Sequence, residues 1–164
     1  MEPLYCIRSK YTEKEYVRFN RYLASRNKSI WVVIALFGLF GIEFLVMNIH
    51  KEGQVAIGAV LVLGALFMAW NLTLGADRKA RKYYASDKYI QGLEFELKFY
   101  DDHIEQVGSN SFGIIDYDKI YKIFVTKNSV YIMRSSVAGI FFPLADCPQG
   151  FVDFIENIKG KYNL

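Results

Sequence analysis

Two apolar segments of 20 residues, separated by only five, constrain this chain more than any other feature. Ile30–Ile49 reads IWVVIALFGLFGIEFLVMNI and Val55–Leu74 reads VAIGAVLVLGALFMAWNLTL. As helices rising about 1.5 Å per residue, each spans roughly 30 Å, the thickness of a bilayer hydrocarbon core. Thirteen of the first 20 residues are Leu, Ile, Phe or Val, enough to outweigh one off-centre carboxylate, Glu43, whose cost is at most roughly 3 kcal/mol. The second segment carries no charge. A surface helix of a soluble protein keeps a polar face, and neither segment does. A signal peptide would be shorter and would end in a small-residue cleavage site.

The five-residue connection, 50–54, can join only antiparallel neighbours. Six Lys/Arg precede the first segment within 20 residues (Lys10, Lys14, Arg18, Arg21, Arg26, Lys28), and five follow the second (Arg78, Lys79, Arg81, Lys82, Lys88). The connection holds one, Lys51. The positive-inside rule therefore predicts a multi-pass protein of the plasma membrane with both termini in the cytoplasm. Trp31 and Trp70, near the predicted cytoplasmic ends of their helices, agree with that orientation. Cys6 and Cys147 have no ligand spacing and are expected as free cytoplasmic thiols.

Charge is split along the chain. Residues 1–90 carry 13 Lys/Arg against 7 Asp/Glu, whereas 91–164 carry 7 against 10. The basic half suits an anionic lipid surface, with Arg78, Lys79, Arg81 and Lys82 as its candidate contacts. The acidic half argues against a nucleic-acid partner.

Four regions follow. Residues 1–29 read as a strand (Leu4–Tyr11) and an amphipathic helix opened by a Thr12/Glu15 capping box. That helix, with Tyr16, Phe19 and Leu23 on one face, is expected to run along the membrane surface or into the first span. Residues 30–74 are the transmembrane hairpin, with spans 30–49 and 55–74. Residues 75–90 continue the second helix as a basic juxtamembrane segment. From Gln91 the period changes to two: Leu93, Phe95, Leu97 and Phe99 alternate with Glu94, Glu96 and Lys98. Turns at Asp101-Asp102, Gly108–Ser111 and Lys127–Ser129 separate further short strands, the last at Gly139–Pro143. A helix opening at Asp146-Cys147-Pro148 sets Phe151, Phe154, Ile155 and Ile158 on one stripe. The fold class expected is membrane α+β: a two-helix hairpin plus a 91–164 antiparallel meander of five or six strands, closed by the C-terminal helix in a pleckstrin-homology-like (PH-like) layout. Leu4–Tyr11 is a candidate edge strand of the same sheet, which would make the hairpin an insertion.

This order of parts resembles the YcxB-like family of small bacterial membrane proteins. The stretches that carry the resemblance are Tyr11–Tyr16, Phe99–Ile104, Asp116–Ile120, Phe141-Phe142-Pro143 and Phe151–Ile158. Leu144 departs from it, standing where a basic residue is expected after the proline. The resemblance implies the fold and topology and no particular activity.

No catalytic, metal or cofactor pattern emerges. Asp101, Asp102, His103 and Glu105 read as a turn, and no nucleophile pairs with His50 or His103. Phosphate-binding loops are missing from the sequence. The chain is expected to be a non-catalytic, membrane-anchored module whose partners are the bilayer and a protein or peptide. Two other readings stand beside it. One is a structural homo-oligomer packed through Gly58, Gly64, Ala65 and Ala69. The other is a proton- or ion-responsive component using Glu43, a carboxylate otherwise read as protonated and hydrogen-bonded within the hairpin or to a second subunit.

Overall fold

The computed structural model describes residues 2–26, 28–49, 51–108 and 111–164. His50 and the tip of the expected 108–111 turn, Ser109-Asn110, lie outside them. The elements in order are β1 (Tyr5–Lys10), α1 (Glu13–Ser25), α2 (Lys28–Met47), α3 (Glu52–Trp70), a π-helical segment (Asn71–Gly75), α4 (Ala76–Ser86), β2 (Glu94–Phe99), β3 (His103–Gly108), β4 (Ser111–Asp116), β5 (Lys122–Val125), β6 (Ser129–Met133), β7 (Gly139–Pro143) and α5 (Phe151–Tyr162). This is an α+β fold with antiparallel sheets, and two of its helical stretches are long and apolar enough to cross a membrane. The chain divides into two compact units, Met1–Phe19 with Tyr83–Leu164, and Asn20–Lys82.

The first unit is a discontinuous β domain. β1 pairs antiparallel with β2 over six residues, from Tyr5 opposite Phe99 to Lys10 opposite Glu94. The hairpin is therefore an insertion between two neighbouring strands. β1-β2-β3-β4 form one sheet and β5-β6-β7 a second, in place of the single meander expected. The break falls at Tyr117–Lys119, a single 3-10 turn. Tyr117 is fully buried there, and its hydroxyl donates to the Tyr100 carbonyl at 3.0 Å. Asp116 stands at the N-cap of this turn without a side-chain cap hydrogen bond; its carboxylate pairs with Lys119. Inward side chains of both sheets meet α5: Ile7, Phe95, Leu97, Phe99, Ile123, Val130, Ile132, Phe142, Phe151 and Ile155 share one core. The periodicities expected of β2 and α5 hold residue by residue.

α5 begins later than expected. Its first residue is Phe151, preceded by Gly150 at φ 83°, a left-handed conformation that a side chain would strain. Pro148 lies outside the helix. Asp146 does not cap it either: its carboxylate accepts the Ser9 hydroxyl at 2.6 Å, tying the segment to β1.

All five residues of β6 are buried. Val130 and Ile132 face the shared core, while the other side is covered by α1. Phe19 stacks on Phe141 at 4.6 Å and approaches Tyr131 at 5.5 Å. The front of the apolar α1 face thus packs on the second sheet, which corrects the expectation that it lies on a membrane surface. Thr12 does accept the Glu15 amide at 3.3 Å, but the Glu15 carboxylate does not complete the capping box. It is buried, taking Arg18 at 2.6 Å and the Ser129 hydroxyl at 2.8 Å. Leaving such a carboxylate unpartnered would cost several kcal/mol, so this tie fixes where α1 starts.

The second unit is the helical hairpin. α2 and α3 touch closest at two glycines. A side chain at Gly41 would sit 3.0 Å from Leu61 and Val62, and one at Gly58 only 2.7 Å from Leu45. Ala65 is buried opposite Gly38, whereas a side chain at Gly64 would meet nothing. Asn48, Asn71 and Thr73 turn back on the carbonyls of Phe44, Phe67 and Ala69, so their polar groups are satisfied inside their own helix. Arg21 and Asp77 join α1 to α4 with two hydrogen bonds, one of them 3.0 Å from Nε to Oδ1.

The insertion should be removable. In the domain unit, Tyr84 donates its hydroxyl to the Tyr11 carbonyl at 2.9 Å, and the Tyr16 and Tyr84 rings lie 5.8 Å apart. The chain therefore leaves and re-enters the domain at nearby points. A short Gly/Ser linker from Phe19 to Tyr83 is expected to yield a domain that stays in solution without detergent and unfolds cooperatively in urea. Residues 88–164 alone, lacking β1 and its Ile7, are expected to aggregate or unfold. Circular dichroism and sedimentation on both chains check this.

Candidate functional site

Strand alternation sends every second residue of the first sheet outward, and these side chains form its outer face. Across the register, Arg8 stands beside Glu96, Glu96 beside Val107, and Val107 beside Phe112. The next row runs Cys6, Lys98, Glu105 and Ile114. The β1–β2 half of the face is charged, and the β4 edge is apolar.

Glu96 is the hub of the charged half. Its Oε1 accepts Arg8 Nε at 2.7 Å and the Cys6 thiol at 3.2 Å, and its Oε2 lies 3.8 Å from Lys98 Nζ. The Arg8 hydrogen bond, helped by that of Cys6, holds the Glu96 carboxyl below the usual range. Desolvation and then Glu96 push the Cys6 thiol up. Both cysteines are free thiols. Burial, with Asp146 beside it, raises Cys147 to about 12.

A second group sits at the β2–β3 turn. His103 Nδ1 is 2.6 Å from Asp102 Oδ1, and its ring stacks on Tyr100 with centroids 4.6 Å apart. Glu105 places Oε1 3.9 Å from His103 Nε2 and accepts the Tyr100 hydroxyl on Oε2 at 3.1 Å. Asp102 and His103 thus bind each other, and the His103 bond lowers the Asp102 carboxyl. Among the described residues no group of three or more His, Cys, Asp or Glu is placed to hold a metal ion.

At the far end of the same strands lies a groove of about 560 Å³, lined by Arg8, Lys10, Glu94 and Asp146 together with Phe95 and Val107. That volume lies within the range of small-ligand pockets. Its charges are mixed and largely engaged: Arg8 with Glu96, Asp146 with Ser9.

The residues singled out from sequence lie elsewhere. Arg78, Lys79, Arg81 and Lys82 are all exposed on α4. Asp77, the one acid of that helix, is spent on Arg21, which holds its carboxyl below the usual range. Four cations thus face outward on a helix whose single acid is engaged by Arg21. Glu43 is exposed on α2, and among the described residues it has no hydrogen-bond or ion-pair partner. The sequence reading did not reach the outer face of the first sheet, because its rows are assembled from β1 and β2–β4, with the hairpin between them. The period-two run from Glu94 was the one available signal. No family model matches this chain, and no match is found among curated proteins or solved structures.

The Glu96 hub makes Cys6 a reporter. Burial raises the Cys6 thiol most and Glu96 next; Glu96→Gln removes the Glu96 charge, so alkylation of Cys6 by iodoacetamide at pH 8 should accelerate. Cys147 should react only on unfolding, because its raised value favours the neutral thiol up to pH about 12. Mass spectrometry of native and denatured samples measures both.

Proposed function

We propose that this chain is an integral membrane protein of the YcxB-like kind, with its hairpin in the plasma membrane, both termini in the cytoplasm, and a PH-like domain acting as a non-catalytic binding module for a protein or peptide. One observation carries the reading: an insert whose apolar surface is left open lies between two strands that pair with each other. Only 11% of the apolar window of either helix is buried. Leu36, Leu39, Phe40, Val60, Leu63 and Phe67 are each about 60% exposed or more. A soluble monomer rarely shows an apolar patch above a few hundred Å², so this surface needs lipid. β1 and β2 must also be made on one side of the bilayer to pair, which requires an even number of crossings between them. That condition supports a common side for both termini independently of the charge rule, and the charge rule alone chooses the cytoplasm.

The PH-like assignment is supported by four strands, then three, then a closing C-terminal helix. Binding is favoured over catalysis because the polar clusters of the sheet face are small ion-paired networks. A protein or peptide is favoured over a lipid headgroup on the domain by the acid excess of residues 91–164. The cations of α4 suit contact with the anionic leaflet, worth about 1 kcal/mol each near the surface.

The test is topology. The full-length chain should resist carbonate extraction, and tags at its two ends should both be reached from the cytoplasmic side of inverted vesicles. Tags on opposite faces, or a chain soluble without detergent, would end this reading.

Glu43 favours a second reading alongside the first. Glu43 is exposed on an apolar helix face with no partner among the described residues, an arrangement that supports homo-oligomers meeting at α2. In that case Glu43→Leu should shift detergent cross-linking from discrete oligomers to monomer, and Glu43→Gln should largely preserve them.

A further inference from the structure

We propose that the free edge of β4 takes a strand from its partner, and that this strand is a basic peptide with apolar side chains at alternate positions. The inference rests on the binding-module reading and names the partner's chemistry. Among the described residues β4 pairs only with β3, so its other edge offers unused backbone donors and acceptors. Natural edges are usually blocked by lysine, proline or a bulge. β1, the opposite edge of the same sheet, follows that rule: it carries Arg8 and Lys10, and Ser9 ties it to Asp146. Ser111–Ile115 has neither charge nor proline. Phe112 and Ile114 stand 64% and 57% exposed on its outer side, and Val107 is beside Phe112 in the register. An incoming strand with apolar residues every second position would cover them, each cross-strand pair adding about 0.2–1 kcal/mol.

Charge selects the partner. Asp116 ends β4, and Glu105 stands opposite Ile114. The Tyr117 amide, next to Asp116, donates to the Asp102 carbonyl at 3.3 Å, which brings the Asp101-Asp102 turn to the same end. Asp118 follows. Lys119 and His103 offset part of this, through Asp116 and Asp102 respectively. The edge thus lies in a negative field that favours lysine- or arginine-bearing strands and disfavours acidic ones. A second copy of this chain fits worse, since its β4, Ser111–Asp116, carries no lysine or arginine to meet that field. Basic segments with interspersed apolar residues are also common in the cytoplasmic flanks of membrane proteins, where the positive-inside rule concentrates Lys and Arg. Confinement to one membrane would raise the effective concentration of such a flank at the edge.

The experiment uses the full chain in nanodiscs of phosphatidylcholine and a fluorescein-labelled peptide of about ten residues alternating lysine and valine, a length that matches one added strand. Saturable binding in the micromolar range is expected, with slower amide exchange across Ser111–Asp116. Phe112→Ser and Ile114→Ser, both at exposed positions and checked for an unchanged circular dichroism spectrum, should each weaken binding severalfold, and the double variant by about tenfold or more. A glutamate–valine peptide and a lysine–valine peptide N-methylated at alternate residues should not bind. No binding of the first peptide, equal binding of the glutamate peptide, or indifference to both serine variants would overturn the proposal. So would a concentration-dependent dimer abolished by Phe112→Ser, which would make a second copy the occupant. The assay does not depend on orientation in a cell, so the topology reading can fail while this one stands, and the reverse.

Discussion

The pairing of β1 with β2 is the interaction on which the rest depends. It closes a loop of more than 80 residues, and the entropic cost of such closure grows only slowly with length. A rigid insert eases it further, because two antiparallel helices of similar length return the chain close to where it left. The six-residue ladder then supplies Ile7 to the core, and the adjoining Tyr11 packs on both Phe95 and Phe141, at 4.7 and 4.6 Å. Without the ladder, β2 would be an open edge and the domain would begin after its first strand.

That dependence explains which parts of the fold were legible. The hairpin, the alternation of β2 and the stripe of α5 are local periodicities, and each follows from the residues alone. The break between the sheets is not local. It arises because Tyr117 and Ile120 turn inward at a point where Asp116-Tyr117-Asp118 reads as an ordinary turn. The role of α1 was hidden for a related reason: an amphipathic helix beside a long apolar segment looks the same in sequence whether its apolar face meets lipid or a sheet. The run Ser129–Met133, apolar on both sides of the strand apart from Ser129, was the available hint that β6 is covered twice. The helix start at Phe151 was misplaced because Gly150 outweighed Asp146, and Ser9, far off in sequence, had claimed the aspartate. Gly41 was overlooked because small residues were sought on the second span, whereas Gly41 lies on the first and meets Leu61 and Val62 of the second.

Polar groups divide the two units more sharply than apolar ones do. In the hairpin, Asn48, Asn71 and Thr73 are folded back on their own helices, while Glu43 has no hydrogen-bond or ion-pair partner among the described residues. In the domain, Glu15, Arg18 and Ser129 form a network in which every buried group is satisfied. The first pattern is what a solvent without hydrogen bonds demands of backbone and side chain. The second anchors a helix on a sheet, where a misplaced carboxylate would cost more than the packing gains. Neither pattern was legible from the candidate site residues, since it depends on what each side chain can reach and not on its identity.

The same contrast bears on the sheet face. Where the domain exposes charge, on β1 and β2, the charges are paired with one another through Glu96, and β1 carries the lysine and arginine that keep an edge from recruiting strands. Where it exposes apolar side chains, on β4, they sit on an edge with nothing to block it. A domain that protects one edge of a sheet and leaves the other open shows two local solutions to one problem, and stability does not account for the difference, since Phe112 and Ile114 bury little. An open edge carries the hazard of unwanted association. Under the membrane-anchored reading proposed above, the tether restricts which strands can reach that edge and the acids beside it restrict them further, so that tether and charge together narrow what can add to it.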